Sequence, residues 1–144
     1  MNARRLYNPL VRWLLHTPLH VVMSGSVLLL TFKGRNSGNS YTTPISYVRE
    51  GEDLLLVSSR DRSWWKNLRG GARVTLRIRG RDEEGVAEAF EGGAAEEGLL
   101  SVMRAVPAYR RHWNVALGHH GRPEDPDDLA RVAEGNVLIR VSRR

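Results

Sequence analysis

Apolar residues in this chain come mostly in short runs and alternations, the period of strands rather than helices. Val27–Phe32 is an apolar run, followed by Thr42–Val48 and, after the turn Glu50-Gly51-Glu52-Asp53, by Leu54–Ser58. Arg73–Arg79 alternates strictly, with Val74, Leu76 and Ile78 on one face and Arg73, Thr75, Arg77 and Arg79 on the other. A second turn, Arg79-Gly80-Arg81-Asp82, leads into the alternating stretch Glu84–Glu91, and Val137–Val141 is a last apolar strand. Short strands joined by hairpins predict an antiparallel sheet curled into a barrel.

Helical spacing occurs at the margins. Leu6, Leu10, Val11, Trp13, Leu14 and Leu15 share a face, with Arg4, Arg5 and Arg12 interleaved, and Thr17-Pro18 closes the segment. Such a helix ordinarily caps a sheet. A basic amphipathic helix carrying a Trp also suits an anionic membrane surface, so Arg4–Leu15 is a second candidate contact. Ser63–Gly71 reads as a short helix with Ser63 as N-cap and Gly70 as C-cap. Glu96–Val106 is helical up to Pro107, Asp127–Ala133 is a short acidic-capped helix, and Gly118–Pro126 is a loop. No repeat or linker interrupts the pattern, which predicts one α+β domain over residues 1–144.

The absence of cysteine excludes disulfide staples and thiolate metal sites and agrees with a cytoplasmic setting. No apolar run approaches the roughly 20 residues of a membrane span. Charge is unevenly spread. Residues 1–80 hold 13 Lys and Arg against 4 Asp and Glu, whereas residues 81–144 hold 9 against 12. A strongly positive half suits an anionic partner such as a phosphorylated cofactor, anionic lipid or nucleic acid. Nucleic acid fits least, because the arginines of Arg73–Arg79 lie on one strand face without interleaved exposed aromatics.

The densest chemistry is Lys33-Gly34-Arg35-Asn36-Ser37-Gly38, between the first two strands. Two glycines permit a tight turn, which crowds two cations, a hydroxyl and free backbone N–H groups onto one tip. That set suits a phosphate or clustered carboxylates. The same six residues also make an ordinary solvated basic hairpin. His119-His120, near Glu124 and Asp125, reads as part of a flexible loop rather than a metal site.

The ordered set of motifs resembles the deazaflavin-dependent nitroreductase family. It comprises the basic Gly-x-x-Ser-Gly hairpin, Thr43-Pro44, a strand ending Leu56-Val57-Ser58-Ser59, Trp64-Trp65-Lys66-Asn67-Leu68, Arg73-Val74-Thr75-Leu76 and Pro107-x-Tyr109. The resemblance spans roughly residues 5–142. It implies the split antiparallel β-barrel of the FMN-binding flavoproteins, and binding of coenzyme F420, a deazaflavin with a phosphate and an oligoglutamate tail. Lys33, Arg35, Asn36, Ser37 and Thr43 would hold phosphate and tail. Ser58 and Ser59 would face the ring, and Trp64 or Trp65 would pack beside it. The implied reaction is hydride transfer to a quinone, nitroaromatic or activated enone, with Tyr109 and Ser59 as substrate-side residues; family members occur as monomers, and homodimers occur in the wider superfamily.

Two departures accompany the likeness. The loop after the Ser58-Ser59 strand is short and charged, Arg60-Asp61-Arg62-Ser63, where the family has a longer Gly-Gly loop. Arg60 and Arg62 would then reach the cofactor tail or block its ring, which keeps FMN as the alternative cofactor. The segment Asn114–Gly135 is longer than the family's link into its last strand. On spacing alone, Tyr109 and Trp113 equally suit packing of a helix onto the barrel.

Overall fold

A computed structural model of the protein describes residues 26–143. The helix expected over Arg4–Leu15, and its membrane contact, lie outside the described residues. Seven strands are present among these residues: β1 (Val27–Lys33), β2 (Ser40–Ser46), β3 (Val48–Glu50), β4 (Asp53–Ser59), β5 (Ala72–Ile78), β6 (Arg81–Phe90) and β7 (Asn136–Arg143). They form one sheet in the order β2-β1-β5-β6-β7-β4-β3, antiparallel throughout.

The expected strand Thr42–Val48 is two strands, broken at Tyr47. Those two strands are the opposite edges of the sheet, so a single residue joins its ends. The sheet must therefore curl until its edges approach, and β2 does touch β4. Tyr47 is buried, and its backbone N–H donates to the Ser26 carbonyl at 3.0 Å. The result is the split β-barrel that the strand pattern and the resemblance predict.

Alternation sorts the side chains into two cores. Leu28, Leu30 and Phe32 of β1 meet Val74, Leu76 and Ile78 of β5, Leu54 and Leu56 of β4, and Ile139 of β7 inside the barrel. The opposite face of β4 and β7, with Leu55 and Leu138, is covered by three helices: α1 (Glu96–Ala105), α2 (Pro107–Trp113) and α3 (Asp128–Gly135). α1 lies so close to β7 that a Cβ on Gly98 would overlap the Leu138 side chain. That approach requires glycine.

Candidate functional site

The β1–β2 hairpin pairs up to Lys33 opposite Ser40, and the turn between them is closed by its own backbone. Gly34 donates to the Asn39 carbonyl at 2.8 Å and Gly38 to the Gly34 carbonyl at 2.9 Å. Gly38 has φ +72°, where L-residues with a Cβ are strained. The Ser37 hydroxyl accepts the Asn39 N–H at 3.2 Å and lies 3.3 Å from the Tyr41 hydroxyl. Side-chain hydrogen bonds from Ser37 and Asn39 hold the Tyr41 phenol below the usual tyrosine range.

The tip leans on a short 3₁₀ helix, Trp64–Leu68. Asn67 makes the junction. Its side-chain oxygen accepts the Arg35 backbone N–H at 2.9 Å, while its amide donates to the Trp64 carbonyl at 2.8 Å. Between hairpin and helix opens a cleft of about 360 Å³. Phe32, Tyr41 and Trp64 give it an aromatic side, and Asn36, Ser37, Ser63 and Asn67 a polar one. The Phe32 ring centre lies 5.6 Å from that of Trp64 and 6.0 Å from that of Tyr41. Gly34 also lines the cleft, and a Cβ there would come within 2.9 Å of the Ser37 hydroxyl and 3.0 Å of the Tyr41 ring.

Lys33 and Arg35, beside Gly34, are exposed and form no ion pair among the described residues. Several other arginines are compensated: Arg77 by Asp82, Arg122 by Glu97, and Arg140 by both Glu50 and Asp53. Uncompensated charge thus stands beside an aromatic cleft.

The rest of the expected site lies elsewhere. Thr43 is buried and donates to the Pro44 carbonyl at 3.2 Å. Ser58 is buried and donates to the Ser59 carbonyl at 3.1 Å, and the Ser59 hydroxyl donates to Asp61 at 2.5 Å. Arg60 turns away, its guanidinium 3.2 Å from Glu91 and 3.4 Å from the carbonyls of Ala133 and Glu134. The Arg62 backbone N–H donates to the Ser59 carbonyl at 3.2 Å, tightening the short loop. Trp65 is in the barrel core at 1% exposure, with the Arg69 guanidinium 4.9 Å from its ring centre. The paired tryptophans therefore divide: Trp64 lines the cleft and Trp65 fills the core.

Tyr109 lies in the outer core, its ring 5.1 Å from that of Trp113, and burial pushes its phenol above the usual range. It does not line the cleft. His112, in the same helix, is exposed. Ser63 makes no side-chain cap; its carbonyl accepts the Lys66 N–H at 3.1 Å instead. The Gly118–Gly121 loop is held at α1, where Arg104 donates to the Gly121 carbonyl at 2.7 Å.

One brace was not foreseen from the sequence. Glu91 accepts from Arg60 at 3.2 Å and from Arg69 at 3.0 Å, so a single carboxylate ties both ends of the segment that carries the cleft wall. Arg69, then Arg60, hold its pKa below the ordinary glutamate value.

A flat conjugated ring would bury its faces against Phe32, Tyr41 and Trp64, and an anionic tail would meet the hairpin cations and hydroxyls. A split barrel bearing such a cleft suits a flavin-type ligand, and comparison with known proteins gives the particular group. The model of the F420H(2)-dependent quinone reductase family matches residues 16–115, and the chain belongs to that family. No curated protein matches the chain in sequence.

Solved structures agree on the fold. A putative pyridoxamine 5'-phosphate oxidase from Listeria innocua superposes with a TM-score of 0.53 at 15% identity, covering 88% of this chain and 90% of the other. An F420-H2 dependent reductase, FDR-A, superposes with a TM-score of 0.52 at 18% identity, covering 79% and 93%. A general stress FMN/FAD binding protein from Xanthomonas citri gives a TM-score of 0.50 at 18% identity, covering 86% and 79%.

Proposed function

We propose that this oxidoreductase holds F420 in the cleft between the β1–β2 hairpin and the 3₁₀ helix, and transfers a hydride to a quinone, nitroaromatic or activated enone. The observation that carries this reading is a single cleft at the hairpin tip with an aromatic side and a polar side, flanked in the chain by Lys33 and Arg35, which form no ion pair among the described residues. Lys33, Arg35, Asn36 and Ser37 would hold the phosphate and the carboxylates of the tail through charge-assisted hydrogen bonds. Phe32, Tyr41 and Trp64 would bury faces of the conjugated system. When bound, the reduced deazaflavin supplies the hydride.

The chain's own residues then orient and exclude water. Asn67 fixes the tip against the helix, so the donors are arranged before the cofactor arrives and less ordering accompanies binding. Arg60, drawn to Glu91, leaves the cleft unblocked. The proposed cofactor set is thus narrower than the motif: Thr43, Ser58 and Trp65 support it from within the barrel.

Titration of the purified, ligand-stripped protein with F420 and with FMN, read by cofactor fluorescence and tryptophan quenching, tests the assignment. Saturable F420 binding that weakens in Arg35→Glu supports it. Preference for FMN would keep the cleft and change the cofactor, and F420 binding indifferent to Arg35→Glu would move the site elsewhere.

A further inference from the structure

A second cavity, of about 300 Å³, lies on the helical layer between α2 and the chain leaving it. Its walls are Pro107, Arg110, Arg111, Asn114, Val115 and Ala116, none of which lines the hairpin cleft. It holds two adjacent arginines and no carboxylate. Among the described residues neither guanidinium forms an ion pair, and the Arg110 Nε is shielded from solvent with no acceptor. A buried donor left unpaired is unfavourable, because the water it gave up is not replaced by another acceptor.

Arginines in a last helical turn commonly serve the helix end. Here that task is already done by others. The Asn114 N–H, in a left-handed conformation at φ 56°, bonds the carbonyls of Arg110 and Arg111. The Val115 N–H donates to the Arg110 carbonyl at 2.9 Å. Arg131, from α3, donates to the carbonyls of Trp113 and Asn114 at 2.9 and 3.3 Å. The carbonyls of Arg110, Arg111, Trp113 and Asn114 are satisfied without either arginine side chain, and neither side chain has an ion-pair partner among the described residues. The family match also ends at residue 115, where the long segment toward β7 begins, so this cavity sits at the border of what the family shares.

We propose that this cavity binds a small organic oxyanion, its carboxylate or phosphate head on Arg110 and Arg111. A compact apolar body would lie against Pro107, Val115 and Ala116. The guanidinium fork suits planar or tetrahedral oxyanions in two-point contact, and the bound head supplies the acceptor that Arg110 lacks once the side chain swings into the cavity.

Benzoate and phenyl phosphate are the probes, titrated into the full-length protein and followed by calorimetry. Saturable binding of either is expected, at least about tenfold weaker in Arg111→Gln, which changes only an exposed side chain, and in Arg110→Gln. Arg35→Gln, altered at the other site, should bind the same probe as the parent does, and the tighter probe identifies the head group. No saturable binding, or binding lost in Arg35→Gln but kept in Arg111→Gln, would overturn the proposal.

Discussion

The side chain of Asn67 accepts the backbone N–H of Arg35 at 2.9 Å, across 32 residues of sequence. Hairpin and 3₁₀ helix are therefore one mechanical unit, although each folds from local sequence. Replacing Asn67 by Ala removes this bond and the one to the Trp64 carbonyl. At about 1 kcal/mol each, the two bonds predict a loss of about 1–2 kcal/mol in urea unfolding. Cofactor affinity should fall further than stability, because the tip is no longer held against the aromatic wall. Equal affinity in Asn67→Ala and parent would show that the hairpin needs no such brace.

The two adjacent tryptophans should separate cleanly by experiment. Trp65→Ala opens the barrel core and is expected to cost about 3–5 kcal/mol in stability. Trp64→Ala, at the cleft, should leave a more stable protein than Trp65→Ala but weaken cofactor binding. Denaturant midpoints alongside fluorescence titrations check the pair; a reversed order would misplace the cleft wall.

Gly34 has room for no side chain. Its φ is not positive, so Gly34→Ala introduces no backbone strain, and the added methyl acts only by pushing on Ser37 and Tyr41. Reduced cofactor affinity with a thermal midpoint close to the parent's is the expected outcome, measured by titration and calorimetry on the same sample.

Acid should loosen the cleft wall through Glu91. Its folded pKa is depressed by Arg69 and Arg60, so the stability it contributes is present above its unfolded pKa. That contribution is lost as pH falls through the depressed folded value. The partners are partly exposed, at 48% and 39%, so solvent limits the effect to about 1 kcal/mol or less. Glu91→Gln should flatten the acid limb of the stability–pH curve, and an unchanged limb would leave the brace without energetic weight.

Strand alternation made much of the sheet legible: the faces of Val74, Leu76 and Ile78 follow from the sequence alone. The break at Tyr47 was not legible, because Thr42–Val48 keeps its β character while it crosses from one edge of the sheet to the other. The hairpin motif pointed to Asn36 and Ser37. It could not point to Tyr41, which enters the cleft only because β2 begins two residues earlier than its apolar pattern. Adjacent tryptophans announce divergent directions but not which one faces the core. The charged loop Arg60–Ser63 raised the question of where its arginines go, and for Arg60 the answer lay in Glu91, distant in sequence and without local signal.

The last strand of the chain, β7, does not lie at an edge but between β6 and β4. Its partner Leu56 pairs with Ile139. On a ribosome, β4 would wait for most of the polypeptide before finding its neighbour, with its hydrogen-bonding groups unmatched meanwhile. Pairings this distant slow folding. Loss of residues 136–143 would thus leave the facing edges of β4 and β6 open to other chains, and aggregation rather than a shortened enzyme would be the product.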